Sequence, residues 1–264
     1  MSAAPLQVAI LVFDDVEALD LGGPYEVFTT ASRMHQRQHP GAPAPFAVQC
    51  VARSLAPARH PWQDIRDGLG FVWRHPHLQP MLLTGVAWNI AWFVLQAAYV
   101  PYAVRVLGLG TEAVGFTLGL YGAGMVLGAL LAPRVVRAMP FGRAIQFGPA
   151  VSVLAAGAMV ATLVLPHGAL AGVSFFLFGA GPIIWTITTT TLRQSVTHGD
   201  MLGRVGAVFL TVNAGARPVG AALGAAVGAT WGEAACLVLA FAGFVLQAAV
   251  ILASRVSGLR QLPR

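Results

Sequence analysis

After residue 80 the chain is almost unbroken hydrocarbon, and that stretch dictates most of what it can become. Six apolar segments, each bounded by Pro, Gly or charge, occupy 81–104, 113–133, 145–165, 169–192, 205–229 and 234–254. A bilayer core about 30 Å thick is crossed by roughly 20 helical residues, and each segment has about that length. Hydrophobic residues make up 56% of the 264 positions and charged ones 10%, against about 45–50% and about 25% in soluble domains. So few charges cannot coat a globular surface. The expected fold class is an all-α membrane protein with six transmembrane helices.

The charges that remain carry orientation. All 16 basic side chains are Arg, and the net charge is +6. A nucleic-acid reader gathers its Arg into a stripe on one soluble face; here they fall singly or in threes between apolar runs, which excludes no membrane reading and favours no DNA or RNA partner. Sorting the loops alternately puts Arg66, Arg74, Arg134, Arg137, Arg143, Arg193, Arg204, Arg255, Arg260 and Arg264 on one side and Arg105 alone on the other. The positive-inside rule then places both termini in the cytoplasm of a cell inner (plasma) membrane. Glu112 and Glu233 each begin a helix, where a carboxylate meets the positive end of the helix dipole; a solvated cap is a sufficient account of both.

Composition changes once, near residues 55–65, because half of the acidic residues lie within the first 26 positions. Four regions follow: an α/β segment over 1–58, a linker with an amphipathic helix over 59–80, the helical region over 81–258 and a basic tail over 259–264. In the first, the pattern predicts a strand at 8–13, a turn with Asp14 and Asp15, a helix from Pro24 to Arg33 and a second strand at 46–52. The apolar run at 8–13 is too short for a signal-peptide core and lacks a preceding Arg or Lys, so no cleaved leader is expected. Residues 60–76 place Trp62, Ile65, Leu69, Val72 and Trp73 at helical spacing; such a helix either lies on the membrane surface or packs on the cytosolic end of the bundle. Cys50 and Cys236 have no CxxC spacing and no neighbouring His cluster. Neither a metal nor a cofactor is predicted.

Two resemblances sharpen these expectations. The segments VAILVFDDVEALDLGGPYEVF and FAVQCVARSLAP resemble the PfpI-like superfamily, which includes isocyanide hydratases. In that family an acidic residue at the position of Asp20 sits beside a nucleophilic cysteine on a downstream strand-to-helix elbow. That elbow is missing here, and Cys50 falls in a strand, so a PfpI-like enzyme is the disfavoured alternative and no catalytic residue is assigned. The segments DIRDGLGFVWRHPHLQPMLL, LGLGTEAVGFTLGLYGAGMVLGALLAPRVVR and LRQSVTHGDMLGRVGAVFLTVNAGARPVGAALG resemble the carboxy-terminal half of a major facilitator superfamily transporter, in the branch of the enterobactin exporter and macrolide-efflux permeases. Over 61–258 that resemblance implies one of the two six-helix bundles which such transporters rock about a central cavity. It implies small-molecule efflux, drug or siderophore-like, by a half-length unit that dimerises, pairs with a separate amino-terminal half or is inactive. The junction of the two resemblances suggests a gene fusion of truncated pieces; a membrane-anchored regulatory fusion is the remaining alternative.

Arg217 is the only charged side chain well inside a predicted span, and intramembrane charge marks a functional site by default. Asn213 lies one turn earlier on the same face, and Pro218 removes a helix hydrogen bond beside it. This face either lines a transport pathway or locks Arg217 onto backbone carbonyls of a neighbouring helix. Asn89 and Gln96 share a face of the first span near Trp88, Trp92 and Tyr99; their amides either contact substrate or bond between helices. Thr186 and Thr188 to Thr191 follow Gly179, Gly181 and Pro182, where hydroxyls commonly bond their own helix. Gly128, Arg134, Gly142 and Arg143, with Arg137 between, loosely match the superfamily's cytosolic gating loop, but Ala132 and Pro133 stand where an acid belongs. Plain cytosolic loop charge is the simpler reading of Arg134, Arg137 and Arg143. Gly220, Gly224 and Gly228, and likewise Gly124 with Gly128, supply smooth faces for close helix packing.

Overall fold

The computed structural model describes residues 5–12, 18–52 and 61–263. Strand β1 (Leu6–Val12) pairs in parallel with β2 (Phe46–Ala52), joined by α1 (Ala18–Gln38). Helix α1 lies across the pair, with Phe28 edge-on to Phe46 at 5.3 Å between ring centroids. The α/β pattern is therefore present, but α1 extends well beyond the expected 24–33 and carries Pro24 inside it rather than at its start. A proline is tolerated best in the first helical turn, so it was a misleading boundary marker. Cys50 is exposed on β2. The turn at Asp14 and Asp15 and the side chain of Asp20 lie outside the described residues.

Helices α2 (Pro61–Arg74), α3 (Leu78–Arg105), α4 (Thr111–Ala138), α5 (Phe141–Ala161), α6 (Gly168–Val196) and α7 (Gly199–Leu252) follow, with a short 3-10 turn at Arg255–Gly258. Five of them, α3 to α7, are long and apolar enough to cross a membrane. At about 1.5 Å per residue, a straight α7 of 54 residues would be about 80 Å long, more than twice a hydrocarbon core of about 30 Å. It is not straight. Gly232 has φ 81° and ψ 175°, a left-handed backbone that favours glycine, and the chain reverses there. The Cys236 thiol donates to the Gly224 carbonyl at 3.3 Å, a contact that only a folded-back hairpin allows. The bundle thus has six rods, the last two being arms of α7 at 199–231 and 233–252.

Close-packed glycines fix the neighbours. Gly124 and Gly128 of α4 sit against the backbone of α6 at Phe176 and Ala180. Gly220 and Gly224 of α7 meet Ile90, Phe93, Val94 and Ala97 of α3, whereas Gly228 faces Cys236 on the second arm. Residue order increases together along both pairs, so α3 runs parallel to the first arm of α7, and α4 parallel to α6. Aromatic side chains fill the middle: Trp92 stacks on Trp88 at 5.4 Å and on Tyr121 at 5.3 Å, and meets Phe178 edge-on at 4.9 Å. Pro133 does not end α4, which continues to Ala138; proline costs a helix bond without stopping a helix held by neighbours.

One end of the bundle gathers the Arg-bearing connections. There Val72, Leu78, Phe141, Leu192, Val205 and Val256 form a second core cluster, and Gly68 of α2 packs on Arg204 and Val208 of α7. Helix α2 therefore docks on the bundle end, while Ile65, Leu69 and Trp73 stay exposed along its outer side. The His75 Nδ1 accepts the backbone N–H groups of His77 and Leu78 at 3.2 and 3.3 Å, capping α3. Burial, then the neighbouring His77, holds His75 below the usual histidine pKa; burial, then Arg255, does the same to His77. The tail closes this end: Gly142 N–H donates to Leu259 O at 2.8 Å, and a Cβ at Gly142 would lie 2.5 Å from Val256 O. At the opposite end Tyr102 and Thr162 share a hydroxyl hydrogen bond of 2.8 Å, and Arg105 pairs with Glu233 at 2.9 Å. Glu233 is therefore an ion-pair partner as well as a helix-start carboxylate.

Candidate functional site

Where α3 and the first arm of α7 touch, Asn89, Asn213 and Arg217 come together. Asn213 Nδ2 donates to its own helix at Phe209 O, 2.7 Å. Its Oδ1 accepts from Asn89 Nδ2 at 3.2 Å, and Asn89 Nδ2 also donates to Gly85 O at 2.9 Å. Asn89 Oδ1 in turn accepts from Arg217 Nε at 3.2 Å. The donors and acceptors form one directed chain, ending on a guanidinium whose Cζ lies 6.0 Å from the Phe93 ring centroid. Gly85 makes this possible: a Cβ there would be 2.6 Å from Asn213 Oδ1. Sequence reasoning overlooked Gly85, because its value is visible only once Asn213 is known to lie opposite.

Arg217 does not donate to a neighbouring backbone carbonyl; its helix-to-helix partner is the Asn89 side chain. Asn89 is buried, while Arg217 is exposed on the outside of the isolated bundle. It stands 18 residues into α7 and 14 before Trp231, far from either end at about 1.5 Å per residue. An Arg at such depth costs roughly 2.5–3.5 kcal/mol on the insertion scale. One neutral acceptor and a ring face near the limit of cation–π range, about 6 Å, offset only part of that cost. Among the described residues no carboxylate pairs with it, and the acids of α3 to α7 stand only at Glu112, Asp200 and Glu233.

Gln96, two turns beyond Asn89 on α3, is half-buried and joins none of these hydrogen bonds. The aromatic groups expected near it turn inward instead. Trp88 Nε1 donates to Ser152 Oγ at 3.2 Å, Trp92 is buried, and Tyr99 is fully buried with its hydroxyl on Thr117. The threonines of α6 behave as local helix groups, with Thr186, Thr188, Thr189 and Thr191 bonding carbonyls three or four residues back. Arg134, Arg137 and Arg143 are exposed at the bundle end, and Arg137 Nε bonds its own helix at Pro133 O, 3.0 Å. Gly128 and Gly142 are explained by packing on α6 and on the tail, without a gating loop.

A concavity of 580 Å³ lies between α4 and α6 and is lined by Leu109, Phe116, Leu120, Val173, Phe176 and His167. Its walls are apolar, and His167 Nδ1 is already engaged by the Ala169 N–H at 3.2 Å. It offers little to orient a ligand. The cluster therefore remains the site with recognisable chemistry.

No curated protein matches this chain. The sequence profile of the Major Facilitator Superfamily matches residues 27–221, from within α1 to the first arm of α7, and so includes all three residues of the polar cluster. Long apolar helices packed through small residues, a mid-depth Arg held by amides, and a profile match over most of its length agree: the chain belongs to the Major Facilitator Superfamily, a family of multi-pass membrane transporters rather than enzymes.

Proposed function

We propose that the chain is a small-molecule efflux transporter unit of the major facilitator type, in the branch its motifs resemble, with Arg217, Asn213 and Asn89 lining the pathway and Gln96 further along the same wall. The observation that carries this reading is the exposed, mid-depth guanidinium of Arg217, tethered to Asn89 and short of a charge partner. Charges inside membrane proteins usually face a cavity or a partner. A face that carries one is poorly suited to lipid.

Alternating access needs two bundles that move against each other, and these six rods make one. The second is another copy of the chain or an amino-terminal half, docking on the side that bears Arg217. The spans hold no carboxylate away from their ends, so ion coupling rests with that second bundle. The Arg-rich end, with Arg134, Arg137 and Arg143, faces the cytoplasm of the inner membrane, and the exposed stripe of Ile65, Leu69 and Trp73 rests at its interface.

The test is efflux of a dye panel from cells expressing the wild type or Arg217→Ala at matched levels. Lower accumulation of at least one dye in wild-type cells, lost in the variant, is expected. Equal accumulation in both, and in cells lacking the protein, would remove transport by this chain.

A further inference from the structure

We infer that the Arg217 site recognises an anion, specifically a flat oxyanion such as a carboxylate carried on an apolar, preferably aromatic, body. The inference rests on the proposed reading of this face as a substrate pathway and adds the chemical class of what passes there.

Three features of the cluster point to it. First, the guanidinium spends only its Nε on the protein, through the 3.2 Å bond to Asn89 Oδ1. Its two terminal nitrogens, with four N–H groups in a fixed plane, have no hydrogen-bond partner among the described residues. That fork matches a carboxylate in two-point geometry, which an ammonium or a neutral donor cannot do. Second, the amides are polarised toward the same end. Asn213 Nδ2 is committed to Phe209 O, and Asn89 Nδ2 to both Gly85 O and Asn213 Oδ1. Each Asn thus turns its oxygen toward the next donor, and the last oxygen holds the guanidinium by its inner nitrogen. Both amides act as positioning groups, and Asn89, the one in contact with Arg217, spends both of its N–H groups on the protein and leaves none to compete for the ligand. Third, the Phe93 ring stands 6.0 Å from Cζ, giving the site an apolar wall beside its charge.

The other ways to neutralise Arg217 fit less well. A lipid phosphate is out of reach, because the residue lies more than a dozen positions from either end of its helical arm. A second copy of this chain cannot supply the missing acid, since its spans are as free of interior carboxylates as these. A ligand that arrives with its own negative charge needs neither.

The experiment uses the full chain in nanodiscs of phosphatidylcholine, with two probes of nearly equal shape: dansylglycine, an anion, and dansylglycinamide, which is neutral. Binding is read as energy transfer from tryptophan, with empty discs as background. The wild type is expected to prefer the anion by tenfold or more. Arg217→Lys keeps the charge without the fork and retains part of that preference. Asn89→Asp is nearly isosteric and places a carboxylate against Arg217; it is expected to abolish the preference, read as the ratio of the two probes' affinities within the variant, because the internal carboxylate occupies the guanidinium in place of the anion. Equal affinity of the wild type for both probes overturns the anion assignment alone and leaves the pathway standing. An anion preference that survives Asn89→Asp also overturns it. If neither probe binds above background, the pathway reading fails together with the inference.

Discussion

Replacing Gly220 by alanine tests both the packing and the site, because one added methyl group must act on each. The new Cβ would sit 2.5 Å from Ile90 O, 2.9 Å from Ile90 Cα and 3.0 Å from Phe93 Cβ. Close C–H···O approaches between helices run at about 3.3–3.6 Å, so α3 and α7 must part by about 0.8 Å. Two of the atoms in the way belong to backbone and cannot swing aside. The bonds from Asn89 to Asn213 and from Arg217 to Asn89 already measure 3.2 Å; stretched toward about 4 Å they pass the useful limit for N–H···O, about 3.2 Å. Overpacking costs typically about 1–3 kcal/mol, and each interhelical hydrogen bond broken adds about 0.6 kcal/mol. With about 2–4 °C of melting temperature per kcal/mol for a chain of this size, Gly220→Ala should melt about 5–15 °C below the wild type in detergent. Gly215→Ala, in the same arm with nothing within 4 Å of its new Cβ, should melt with the wild type. Were both variants to melt alike, the close approach of α3 and α7 at Gly220 would be wrong, and with it the geometry of the polar cluster.

Two further outcomes concern the Arg-rich end. Because His75 and His77 titrate below the usual histidine value when folded, the folded state binds fewer protons than the unfolded one in the interval beneath about pH 6.5. Their contribution is complete above that pH and is lost as the pH falls toward the folded values, so thermal stability should drop on acidification from pH 7.5 to 5. His75→Ala should flatten the drop; an unchanged slope would refute the role of this cap. Gly142→Ala should dislodge the tail by crowding Val256 O, so that trypsin cuts after Arg255 and Arg260 faster than in the wild type. Unchanged cleavage would show that the tail is not held there.

The long apolar runs made most of the bundle legible, because about 20 residues of hydrocarbon have few other uses and Pro, Gly and charge mark their ends roughly. Boundaries differ where proline marks an end of the expected helix, Pro24 its start and Pro133 its finish: both lie inside helices. In the site, Arg217 and Asn213 share a face by helical spacing alone, but the meeting with Asn89 across 128 residues of sequence depends on Gly85, Gly220 and Gly224 bringing two backbones together. No local pattern encodes that register. The sequence leaves Trp88, Trp92 and Tyr99 open between core and binding wall, because indole and phenol groups serve equally as either, and only packing distinguishes the two. Pairing of Arg105 with Glu233 was hidden for a similar reason: alone, Arg105 looks like loop charge and Glu233 like a solvated helix cap.

Everything about the site depends on α7 crossing the bilayer twice, and labelling from one side decides that. Single cysteines at His198, Trp231 and Leu262, in a chain with Cys50 and Cys236 replaced by serine, would be treated with a membrane-impermeant maleimide in intact cells. The folded-back hairpin at Gly232 predicts that His198→Cys and Leu262→Cys are both protected while Trp231→Cys reacts. Reaction of Leu262→Cys with protection of His198→Cys would mean a single crossing, and five spans instead of six.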